Sequence, residues 1–170
     1  MEYIIANIAY VSIIFLGYVL GIWIAHFLRK KISRYDKYLR ASIGVIFILV
    51  IAAVITITKL EVLWFIIGLL IGSIVAKKAA TYFYLGVAYA FAINTNKEVI
   101  VTSLVFLRGI GSGAREAIKQ KFKKKALIRL IGKYLLHFLV GFAVVMIGIN
   151  ESVLSGVIVS GLIVKILKNR

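Results

Sequence analysis

The run Arg108-Gly109-Ile110-Gly111-Ser112-Gly113, with Arg115 two positions on, holds the densest local chemistry in the chain. Closely spaced glycines let a backbone turn its N–H groups toward one point, and such a nest binds anions. A flanking guanidinium adds a full positive charge. Arg108, Gly109, Gly111, Gly113 and Arg115 are therefore the candidate site for a lipid phosphate or a phosphorylated substrate. The run follows no strand, so neither a dinucleotide fingerprint nor a P-loop applies. The plainer alternative is a loosened helix end that leads into a basic segment.

A second group is polar within apolar surroundings. Thr81, Tyr82, Tyr84, Tyr89, Asn94, Thr95, Thr102 and Ser103 fall between positions 79 and 103. Tyr82, Gly86, Tyr89, Ile93 and Asn96 share one helical stripe by their i,i+3 and i,i+4 spacing. Such a stripe lines a water-filled path or binds helices to one another. For a path, Tyr89 and Asn94 would face its lumen or mouth. Thr102 would supply a hydroxyl, and Arg108 would bias one end toward anions. For helix association, the same hydroxyls hydrogen-bond between helices, at about 0.6 kcal/mol each.

Other catalytic devices find little support. The chain has no Cys, which removes thiolate nucleophiles, disulfides and Cys metal sites. His26 and His137 have no acidic neighbours in sequence and make a poor metal pair. Ser, His and Asp occur, but nothing groups them into a triad. No carboxylate falls in the middle of an apolar segment, where a proton- or cation-coupled pump needs one. The expectation is no catalytic residue, no metal and no cofactor.

The elements that would position these residues follow from charge. Of 170 residues, 62% are hydrophobic, and mean hydropathy is +1.03. A soluble core of this size cannot bury so much apolar surface, whereas lipid can. Charged and polar breaks divide the chain into seven apolar segments, roughly 4–28, 41–58, 62–76, 79–93, 99–113, 134–149 and 152–167. With the N-terminus outside, alternate breaks collect twenty of the twenty-two Lys and Arg residues on the inner side. Only Lys59 and Lys97 are left outside, together with Glu2, Glu61, Glu98 and Glu151. Lys/Arg bias in short loops fixes orientation. The positive cluster Arg29-Lys30-Lys31 follows the first apolar run instead of preceding it, so that run reads as an uncleaved helix and not a signal peptide.

The expected fold is an all-α polytopic membrane bundle of about seven transmembrane segments in one domain, 1–170. A lead helix, 1–28, precedes three hairpins at 41–76, 79–113 and 134–167. The N-terminus is outside and the C-terminus inside. The 79–113 hairpin reads equally as two spans or as a re-entrant pair. Each hairpin has a Glu at its outer turn, where the charge suits the positive N-terminus of the following helix. Duplication of one hairpin explains this no better than a shared demand for Glu at short outer turns.

Two further patterns carry expectations. Ile118, Phe122, Ala126 and Leu130 recur every four residues, with Lys121, Lys123, Lys124 and Lys125 on the other surface. Residues 114–131 thus read as a basic amphipathic helix lying on anionic lipid. Gly17/Gly21, Gly68/Gly72 and Gly109/Gly113 are GxxxG pairs, and Gly156/Ser160 has the same spacing. Small residues so spaced let helices approach closely in lipid.

The formal charge of +16 would ordinarily suggest nucleic acid. Here the basic residues lie in short loops between apolar segments, so the partner is a membrane with anionic lipid and no nucleic acid is expected. High Ile and Lys with no Cys suggest a prokaryotic cytoplasmic membrane. The expected role is a non-enzymatic membrane subunit that scaffolds or seals a larger assembly, with other membrane subunits or copies of itself as partners. A small passive channel or facilitator lined by 79–113 is the alternative. A lipid- or phosphate-handling membrane enzyme is the second alternative.

Overall fold

The computed structural model describes residues 2–28, 35–58, 61–76, 79–94, 97–121, 123–145 and 147–168. Seven helices and no strand occur among the described residues. They are α1 (Glu2–Phe27), α2 (Asp36–Ile57), α3 (Val62–Val75), α4 (Thr81–Asn94), α5 (Glu98–Lys119), α6 (Lys124–Val145) and α7 (Glu151–Lys168). Ile8–Phe27, Asp36–Ile57 and Lys124–Val145 have mean hydropathies of 2.2, 2.5 and 1.7 over 20 to 22 residues. At 1.5 Å per residue each reaches about 30 Å, enough to cross a bilayer. This is a membrane protein of the all-α class. At 14 residues each, α3 and α4 rise only about 21 Å.

The helix boundaries depart furthest from the apolar segments between α5 and α6. No single helix covers 114–131. The helix α5 runs on to Lys119, a turn intervenes, and α6 begins at Lys124, ten residues before the apolar segment it carries. Gln120 and Lys121 donate their amides to the carbonyls of Glu116 and Ile118 at 2.8 and 3.0 Å, and Lys121 takes φ 48°. Lys119, Lys121, Lys123, Lys124 and Lys125 crowd seven positions. A continuous helix would place Lys119 over Lys123 and Lys121 over Lys125, and like charges at that spacing oppose helix. The break relieves both pairs. Phe122, on which the apolar stripe depended, lies outside the described residues.

The chain divides into two compact units: residues 1–46 with 102–133, and residues 47–101 with 134–170. In the first unit α1 packs on α5 through glycine. A Cβ added at Gly17 would strike the carbonyl oxygen of Phe106, and one at Gly21 that of Ile110. In return, Gly109 and Gly113 face the backbone around Gly17 and Tyr18. Contacting positions rise together along both helices, so the pair is parallel. Beyond this contact Ala25, Ala114, Ala117 and Leu127 form a buried cluster, with Ile22, Leu39 and Ile118 against it.

The second unit repeats the device twice. Gly68 faces the Val153 carbonyl and Gly156, while Gly72 faces Val157 and the Ser160 hydroxyl. Here too α3 and α7 run parallel. Gly86 of α4 faces the Phe138 carbonyl of α6, and Gly141 faces that of Phe83. Tyr82 stacks on Tyr134 at 4.6 Å, and Tyr89 lies 6.1 Å from Phe142, so α4 and α6 also advance in the same direction. In each pair a small residue lies opposite another, and each meets the carbonyl three positions before its counterpart. Such close approach permits Cα–H···O contacts, worth about 0.5–1 kcal/mol each.

Candidate functional site

Residues 109–113 continue the α5 helix. In an α-helix each amide points along the axis to a carbonyl one turn back. The backbone there consequently offers no cradle of free amides. Gly109 and Gly113 are filled by α1, and Gly111 lies 3.2 Å from Ile43 when given a Cβ. The two arginines of the same run diverge. Arg115 bonds Asp36 at 3.3 Å, and Asp36 also holds Arg40 at 3.0 Å across one turn of α2. This three-residue cluster joins the start of α2 to the last turns of α5. All three side chains are partly exposed, so each pair contributes at most about 1 kcal/mol.

Arg108 is different in being 6% exposed. Thr102 and Ser112 are buried along the same helix, and the hydroxyls of both lack a hydrogen-bond partner among the described residues. Thr102, Arg108 and Ser112 belong to the first unit, whereas Tyr89 belongs to the second. Tyr89 is fully buried, with its ring tilted against Phe138 at 5.7 Å and Phe142 at 6.1 Å. Asn94 ends α4; its side chain, like all of Asn96, lies outside the described residues. The candidate path residues thus fall in separate units, and α5 carries a buried polar set of its own.

A hydroxyl cluster in the second unit escaped the sequence reading. Thr58 and Ser155 share a buried hydrogen bond of 2.7 Å. The Ser152 hydroxyl accepts the Glu61 amide at 3.0 Å, satisfying a donor at the start of α3 that no residue of α3 reaches. Asn150 Oδ1 accepts the Ser152 amide at 2.8 Å, so Asn150 and not Glu151 caps α7. At the other end, Lys165 donates from Nζ to the Ala76 carbonyl at 2.8 Å and closes the C-terminus of α3. Thus α7 serves α3 at both ends as well as along the Gly68–Gly72 contact. The signal for this was present in Ser152, Ser155, Gly156 and Ser160, a small polar stripe along one apolar helix.

Lys121, Lys123, Lys124 and Lys125 are exposed. His26 is exposed on α1, beside a groove that Lys124 also lines. His137 is half-buried on α6 in the second unit. Comparison with known protein families, with curated proteins and with solved structures finds no match to this chain.

Proposed function

We propose that the chain is a non-enzymatic membrane subunit that scaffolds or seals a larger assembly in the membrane. One observation carries this reading: most glycines inside the helices are closed off by the backbone of a neighbouring helix, and a small hydroxyl cluster ties α2, α3 and α7 together. Gly17, Gly21, Gly68, Gly72, Gly86, Gly141 and Gly156 meet partner backbones, and Thr58, Ser152 and Ser155 hydrogen-bond between helices. A structural subunit needs such internal fixing together with wide apolar outer faces. The α3 side opposite Gly68 and Gly72 presents Val62, Leu63, Ile66, Leu70 and Ile74, all exposed, to lipid or to a neighbouring subunit. Extraction in a gentle detergent is expected to bring down a stoichiometric set of other membrane proteins. Recovery of this chain alone, or as a homo-oligomer only, goes against the scaffold role.

A second reading, a small passive path, has its own support. Buried Thr102, Arg108 and Ser112 give α5 a polar side that the scaffold role does not require.

Both readings take all seven helices to cross the membrane, with the N-terminus outside and the C-terminus inside. In that arrangement α1, α3, α5 and α7 run one way, and α2, α4 and α6 the other. The parallel pairs α1/α5, α3/α7 and α4/α6 each fall within one of these sets, which supports the assignment together with the charge bias. Single cysteines placed at Glu61, Glu151, Lys124 and Asn169 test it in intact cells with an impermeant maleimide. Labelling is expected at positions 61 and 151 only. Labelling at 124 or 169 with none at 61 rejects the orientation.

A further inference from the structure

We infer that the groove between α1 and the first turns of α6 holds one acyl chain of an anionic phospholipid, with the lipid phosphate at Lys124. The groove lies within the first unit, is open on one side and has a volume of about 370 Å³, within the range of small-ligand sites. Val19, Ile22 and Trp23 of α1 and Leu127 and Ile131 of α6 supply its walls. Ile22 and Leu127 rest on the buried Ala25, Ala114 and Ala117, so the floor is packed and the groove is pre-formed. Nothing along these walls offers a hydrogen bond to a polar chain except one indole N–H. The lining suits hydrocarbon.

One end is cationic. His26 and Lys124 also line it, and both belong to the same end. The register of α1 on α5 carries the last turn of α5 to the last turn of α1, and the short connection at 120–123 returns Lys124 there. Lys121, Lys123 and Lys125 are exposed beside it. The nearby acids are engaged elsewhere: Asp36 holds Arg40 and Arg115, and Glu116 holds Lys119 at 3.6 Å. Among the described residues, Lys121, Lys123, Lys124 and Lys125 form no ion pair, so an incoming phosphate displaces nothing. A groove that is apolar along its length and positive at one end has the polarity of a lipid with a negative head. A zwitterionic lipid would bring its own cation to the same lysines.

The inference rests on the chain being a membrane protein and not on the scaffold role, so its failure leaves that role standing. The test uses the purified full chain in detergent, offered equimolar phosphatidylglycerol and phosphatidylcholine with matched chains, and read by native mass spectrometry. Wild type is expected to retain one phosphatidylglycerol in preference. Lys124→Gln should lower that retention about five-fold, the effect of one basic residue near an anionic headgroup. Val19→Trp fills the groove from α1 and should remove the bound lipid whatever its head; Ile131→Trp repeats the block from α6 should the first variant fold poorly. Lys97→Gln, remote in sequence, should change nothing. Equal retention of the two lipids by wild type overturns the inference. So does a phosphatidylglycerol preference that survives Lys124→Gln, a lipid that survives both tryptophans, or an equal loss in Lys97→Gln.

Discussion

Gly68→Leu is expected to separate α3 from α7 and to cost about 3 kcal/mol. The first atom that a Cβ at Gly68 meets is the carbonyl oxygen of Val153, followed by Val153 carbon and the Gly156 Cα at 3.0 Å. These are backbone atoms of the first two turns of α7, and they cannot rotate aside as a side chain would. Overpacking a tight contact usually costs about 1–3 kcal/mol, and a rigid neighbour puts this case at the upper end. More than one contact is lost when α7 moves away. Ser152 leaves the Glu61 amide, Ser155 leaves Thr58, and Lys165 leaves the Ala76 carbonyl. Thermal melting in detergent measures the loss, at roughly 2–4 °C for each kcal/mol in a chain of this length. Gly132→Leu is the control, because no atom lies within 4 Å of a Cβ at Gly132. Wild-type melting in Gly68→Leu, or an equal loss in Gly132→Leu, rejects the close-packed α3/α7 contact.

The all-α membrane class was legible because the cost of burying charge acts locally. A lysine cannot enter hydrocarbon cheaply wherever its helix packs, so Arg29-Lys30-Lys31 or Lys77-Lys78 marks a boundary before any tertiary structure is known. The same rule misplaces helix ends. Charge stops an apolar run but not a backbone, and α6 begins at Lys124 because its amides and carbonyls bond along the helix whether or not the side chains lie in lipid. Pairing was not legible. GxxxG spacing marks Gly17, Gly21, Gly109 and Gly113 as places where a backbone can approach, but it does not say that the first two meet the last two. That depends on which helices the connections bring side by side. Position 150 shows a finer limit. Both Asn150 and Glu151 suit the start of a helix, and only the geometry shows that Asn150 Oδ1 reaches the amides of Ser152 and Val153, at 2.8 and 3.4 Å. The run 108–115 illustrates the converse, since glycines spaced for an anion nest are spaced equally well for helix packing.

Arg108 carries the other large expected effect, and it separates the two functional readings. Under the topology proposed above α5 crosses the membrane, where a charged side chain costs about 2.5–3.5 kcal/mol on insertion scales, so a buried guanidinium is retained for its contacts or for its use. At 6% exposure, Arg108 fills buried space in the first unit, and Arg108→Ala should cost about 3 kcal/mol because its packed stem is lost and a cavity opens. Arg108→Lys keeps the charge but replaces a planar fork of donors with a single ammonium, and should recover only part of the loss. Under the scaffold reading the consequence ends there: melting falls in both variants, and liposomes of the purified wild-type chain conduct neither anions nor cations. Under the path reading, wild-type liposomes show a flux that favours anions, and Arg108→Ala removes that preference. A wild-type flux abolished by Arg108→Ala under conditions where the variant remains folded would replace the scaffold role with the path. Silent liposomes with a melting loss in Arg108→Ala would make Arg108 a structural cation, fixed in α5 beside Ser112 for the same end as the glycines that hold α5 to α1.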